Sequence, residues 1–141
     1  MNLDPRKFSQ EAYTALTDLK DELEIFNLER DNLRDKHHKK ASGLIQGLTA
    51  YISTWGLHRL SGDMRKFEAG TAEDTIYKGK VYRKFLVKLQ TFSGADFDVN
   101  QEGTLIHLPL RNYTALNRLA IQLAKEWSFW APAVLGEAEE V

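Results

Sequence analysis

Four histidines and two clusters of cations are the side chains of this chain best suited to chemistry. His37 and His38 are adjacent, so on a helix they point about 100° apart and do not share one metal comfortably. His58 lies close to Asp63, but at no recognised ligand spacing, and His107 stands alone. The H-E-x-x-H helix and the paired Glu-x-x-His elements of di-iron bundles are both absent. So are a phosphate-cradling glycine loop, a dinucleotide fingerprint and a nucleophile elbow. The chain has no cysteine, which removes disulfides and thiolate chemistry and suits a reducing cytosol. These residues predict no enzyme, no metal and no cofactor.

The cations carry more information. Arg30, Arg34, Lys36, Lys39 and Lys40 form one basic stretch, and Lys78, Lys80, Arg83, Lys84 and Lys88 form a second that contains no acid. Tyr77 and Tyr82 are interleaved with the second stretch, and Lys80, Arg83 and Lys84 share a helix surface at three-to-four spacing. Formal net charge is −1, so attraction to a polyanion must come from such local clustering and not from a global field. Two basic helical stretches are what holding a phosphate backbone without reading bases requires. The same stretches have a plainer reading, as an ordinary solvated face or as salt-bridge partners of acids on the first helix.

The elements that position these groups read as helices. Asp4 caps the first and Pro5 suits its first position, where the missing N–H costs nothing. Ala12, Leu16, Leu19, Leu23 and Phe26 recur at helical spacing, Leu28 and Leu33 extend the stripe past Asn32, and Asp18, Asp21, Glu22, Glu24 and Glu29 make the outer face acidic. A second, strongly apolar helix buries Leu44, Ile45, Leu48, Tyr51, Ile52 and Trp55. Gly43 and Gly47 either admit a neighbouring backbone or are merely tolerated, and Ser61-Gly62-Asp63 stops it. Residues 64–75 read as a loop or short helix. A third helix runs from Ile76 to Ser93-Gly94 with Val81, Phe85, Leu86 and Leu89 inward. Residues 95–112 form an irregular connection, in which 104–110 is a short edge strand or an extended loop. The last helix, capped by Asn112 or Thr114, buries Leu116, Leu119, Ala120, Leu123, Ala124 and Trp127 and closes at Ala131-Pro132. Trp127, Phe129 and Trp130 do not fit one helix face, so at least one projects outward or packs beneath a neighbour such as 95–112. The expected fold is all-α, a single helical domain over 1–141 with about four to five helices, and an acidic tail, 136–141, that frays.

The stretch Gly43-Leu44-Ile45-Gln46-Gly47-Leu48-Thr49-Ala50-Tyr51 resembles the glycine-leucine-any-glutamine-small-leucine signature of the small subunit of type III CRISPR effector complexes. In that family the signature opens an apolar helix after a basic segment, as Lys39-Lys40 precede it here, and the last helix carries leucines and a late Trp, as 116–127 does. The aromatic residue falls one place later here, and the acidic first helix and the 95–112 stretch depart from the pattern. The resemblance implies an all-helical, non-catalytic subunit that stacks head to tail beside the guide-RNA backbone and helps hold the guide–target duplex. Guide RNA, target RNA, other subunits and copies of itself are the implied partners. Gly43, Leu44, Gln46 and Leu48 are then packing residues, and candidate RNA contacts come from charge alone. The N-terminal residues lack a secretory pattern, and no apolar run approaches the roughly 20 residues that span a bilayer, so a cytoplasmic protein is expected. The rival is a helical adaptor or homo-oligomeric scaffold that touches only protein.

Overall fold

The computed structural model describes residues 4–138, and among them every regular element is a helix. Seven are present: α1 Pro5–Leu28, α2 His38–Gln46, α3 Leu48–Trp55, α4 Leu57–Glu68, α5 Glu73–Ser93, α6 Gly103–Ile106 and α7 Leu110–Leu135. The all-α class is as expected; the count of four to five is not. One reason is glycine. The single apolar helix expected over 43–61 is broken twice, at Gly47 and at Gly56. Gly56 holds φ +85°, where an L side chain is strained, and a Cβ there would also collide with the Tyr113 hydroxyl. The Leu57 N–H then donates to the Asn117 side-chain oxygen Oδ1 at 3.0 Å, so α7 supplies the cap at the start of α4.

Ser61-Gly62-Asp63 does not stop α4. Leu57, Leu60, Ser61 and Met64 keep a buried stripe running across it, and Gly62 lies open to solvent. The close backbone approach is found elsewhere. At Gly79 of α5, an added Cβ would lie 3.2 Å from the Glu68 backbone nitrogen and 2.9 Å from its Cγ, whereas at Gly47 it would meet only ordinary contact. Gly94, at φ +67°, ends α5 where the sequence places the stop.

No strand forms at 104–110. The segment has no partner to pair with, and its backbone is satisfied locally: Thr104 Oγ1 accepts from the Asp98 N–H at 2.9 Å, and its N–H donates to the Gln101 carbonyl at 3.0 Å. Leu105 plugs the core while Ile106 is exposed. α7 begins at Leu110 behind Pro109, before the expected caps, and continues through Pro132 to Leu135. Residues 139–141 of the acidic tail lie outside the described residues.

α1 and α7 run in the same direction, since Ser9 meets Glu126 and the Tyr13 ring meets that of Trp130. α5 runs against them, with Lys88 opposite Asp18 and Lys84 opposite Glu22. The core between them is aliphatic around Phe85 and Trp127, whose rings meet edge to face with centroids 5.1 Å apart. α1 stops at Leu28, short of the expected extension, so Leu28 and Leu33 are exposed rather than part of the stripe. No helix among the described residues is long and apolar enough to cross a membrane.

Candidate nucleic-acid interface

Most of the cations picked out in the sequence are already paired within the fold. Arg34 meets Glu24 at 3.3 Å, Lys36 meets Glu73 at 2.9 Å and Lys40 meets Asp74 at 3.2 Å. Lys84 pairs with Glu22, Lys88 with Asp18 at 3.1 Å, and Arg83 grips both carboxylate oxygens of Glu68 while donating to Asn100. The bidentate Glu68 grip holds the Arg83 guanidinium above its ordinary range. Six of the ten are thus neutralised locally, three of them by α1 acids on the face expected to be solvated.

The remaining four are differently placed. Arg30 lies 3.9 Å from the Phe26 ring centroid and Lys80 5.3 Å from the same ring, so the two basic stretches converge on one phenyl group. Lys78 sits 5.5 Å from the Phe67 ring. Lys39 is exposed, with its stem against Gly136.

The signature segment sits at a joint. Gln46 Nε2 donates to the Ser128 carbonyl at 2.9 Å, and Ser128 Oγ donates back to Gln46 Oε1 at 2.5 Å. Ser128 precedes Pro132 by four residues, and Pro132 has no N–H with which to close that turn of α7. Gln46 therefore supplies the donor that proline withholds. Leu48 is buried, Leu44 packs against the core, and Gly43 lies half-buried within α2. Trp55, expected in the buried face, is 52% exposed because the chain turns away at Gly56.

The histidines are structural in their surroundings. Asn27 Nδ2 donates to the Arg34 carbonyl at 3.2 Å, which leaves Oδ1 to accept from His37 Nδ1 at 2.6 Å. His37 is fully buried and stacked on Tyr77, with Nε2 3.9 Å from Asp74. Burial, then the charges of Lys36 and Lys40, pushes the His37 imidazole below its ordinary value, and burial does the same for His38. His58 pairs with the Tyr113 hydroxyl at 2.7 Å, and His107 Nδ1 meets the Gly103 carbonyl at 2.7 Å. Tyr51 donates to Asp63 at 2.5 Å, and burial raises both its phenol and that of Tyr82, the latter to about 12. Among the described residues no three His, Asp or Glu side chains are placed to hold a metal ion.

A different set of cations stands clear. Arg111, Arg118 and Lys125 lie seven residues apart on the exposed face of α7, and none has an ion pair or hydrogen bond among the described residues. Thr114, Ala115, Gln122 and Phe129 complete that face, and Phe129 is 70% exposed. The only acid in α7, Glu126, turns to α1, where Ser9 donates to it at 3.2 Å. A search for local clusters misses this stripe because its members are isolated in sequence; heptad spacing on an amphipathic helix is the signal that finds it.

No protein-family model, curated protein or solved structure matches the chain.

Proposed function

We propose that this protein is a non-catalytic, RNA-binding structural subunit, the small subunit of a type III RNA-guided effector complex, stacking with copies of itself beside the guide and helping to hold the guide–target duplex. The observation that carries this reading is the signature segment, Gly43 to Tyr51, and the joint its glutamine makes. Gln46 ties the break between α2 and α3 to the last helix, so the residues that carry the resemblance also couple the two helical parts it names. Stacking is supported by the placement of exposed apolar side chains. Ile25, Leu28 and Leu33 stand at the C-terminal end of α1, and Trp55, Ile106 and Leu110 stand at the N-terminal end of the parallel helix α7. The two groups thus lie at opposite ends, which suits a heterologous contact that repeats. Beside Leu110 a groove of about 270 Å³, lined by Leu105, Ile106, Leu108, His58 and Tyr113, would take an apolar side chain.

A second reading is favoured by the ion pairing. Because Arg34, Lys36, Lys40, Arg83, Lys84 and Lys88 are occupied, the same end patches also fit a protein-only adaptor or homo-oligomer. Affinity purification of the tagged chain from its host separates the two. A large particle holding short RNAs with a shared repeat-derived end is the expected result. A small assembly free of RNA would overturn the effector reading and leave the adaptor.

A further inference from the structure

We infer that the solvent face of α7, and not the two lysine-rich stretches, is the surface on which this protein holds an RNA phosphate backbone. The inference rests on the RNA-binding reading above and names its contact surface. Arg111, Arg118 and Lys125 form a nearly straight row, each about 10 Å beyond the last along the helix. No carboxylate among the described residues pairs with them, in contrast to the paired cations of α2 and α5. The flank on one side is α3, which packs on α7 and carries no charged residue over Leu48–Trp55. On the other side, the α7 acid Glu126 is engaged by Ser9. A polyanion laid along this row meets three free cations and no acid of α7 or α3.

The residues between the cations decide the kind of partner. An acidic helix packing here would need an apolar seam, yet only Ala115 lies between Arg111 and Lys125 on this face, beside Thr114 and Gln122. Thr114 and Gln122 instead offer neutral hydrogen bonds to phosphate or sugar oxygens. At the end of the row Phe129 meets Trp130 edge to face at 5.0 Å, and it is exposed enough to stack an unpaired base. Cations for the backbone and one aromatic for a base together fit a nucleic acid strand.

The test uses the purified full chain and a labelled 30-nucleotide RNA of mixed sequence, single-stranded and as a duplex, titrated by fluorescence anisotropy from 50 to 300 mM salt. Reversing the row in R111E/R118E/K125E should weaken binding at least tenfold at the lowest salt and lower the salt slope by roughly 2 to 3. The comparison variant K80E/R83E/K84E should leave the slope nearly unchanged where its thermal melt shows an intact fold. The triple glutamine variant of the α7 row covers the case in which charge reversal disturbs folding. Equal binding by wild type and both α7 variants, or failure of wild type to bind either probe, would overturn the assignment. Neither result touches the effector reading, which falls only if the particle purified from the host lacks RNA. Preference for the single strand would place Phe129 in contact with a base; preference for the duplex would leave the cation row as the whole contact.

Discussion

Asn27, Arg34 and His37 form a small polar chain beneath the turn that follows α1, and its protonation has a definite sign. The Asn27 amide fixes the imidazole proton on Nδ1, so the neutral ring leaves Nε2 buried without a hydrogen-bond partner. Burial holds the folded-state value below the ordinary 6.5. The unfolded chain therefore binds the proton more readily, and the stability that neutral His37 contributes is full above that value and is lost as pH falls below it. Melting temperature measured from pH 7.5 to 5 should decline, and His37→Gln should flatten part of the decline; an unchanged slope in the variant would mean the titration lies elsewhere. Gln46 makes a second residue-scale test. Gln46→Ala leaves the Ser128 carbonyl to water and should cost about 1 kcal/mol in urea melts. In a P132A background, which restores an N–H to that carbonyl, the same change should cost less, and a double-mutant cycle measures the difference.

At the scale of elements, the helices are set as much by their neighbours as by their own residues. α3 and α4 meet at Gly56, where the backbone is left-handed, the Tyr113 hydroxyl occupies the space of a Cβ, and Asn117 caps the next N–H. Gly56→Ala should destabilise by roughly 1–3 kcal/mol from backbone strain alone, with the crowding against Tyr113 added to it. Tyr113→Phe removes the crowding hydroxyl but should relieve only part of that loss, because the left-handed backbone and the His58 ring, 3.0 Å from the added Cβ, remain. Full recovery in the double variant would show that crowding of the hydroxyl, and not strain, sets the cost. The ion pairs act at the same scale. Three of them link an α5 cation to α1 or α4, and each is worth no more than about 1 kcal/mol where solvent reaches it. Their larger effect is to withdraw Arg83, Lys84 and Lys88 from any external anion.

For the whole molecule, the parallel course of α1 and α7 separates two apolar patches by the length of the bundle. Leu110, 80% exposed, is the most prominent residue of its patch and supports nothing inside the fold. Leu110→Glu should leave the thermal melt within about 0.5 kcal/mol of wild type while abolishing concentration-dependent self-association in sedimentation velocity. Association that persists in this variant would move the contact away from that end. A self-contact through these apolar patches, as proposed, should survive moderate salt, whereas the proposed RNA retention should not.

The residues alone determine the all-α class, the buried faces of α1, α5 and α7, the Asp4–Pro5 start and the Gly94 stop, because each follows from helical periodicity or from a cap a few residues away. That at least one of Trp127, Phe129 and Trp130 projects outward or packs beneath a neighbour was legible in the same way, since three aromatics in four residues overfill one face; that the exposed one is Phe129 was not. Tertiary structure decided the rest. Gly56 breaks its helix while Gly62 does not because α7 waits at one and solvent at the other. Pro132 is carried inside α7 beside the carbonyl that Gln46 serves. Which cations are free was likewise beyond the sequence: local clustering shows where charge is dense, but its neutralisation depends on carboxylates of other helices, distant in the chain and adjacent only once the bundle has packed.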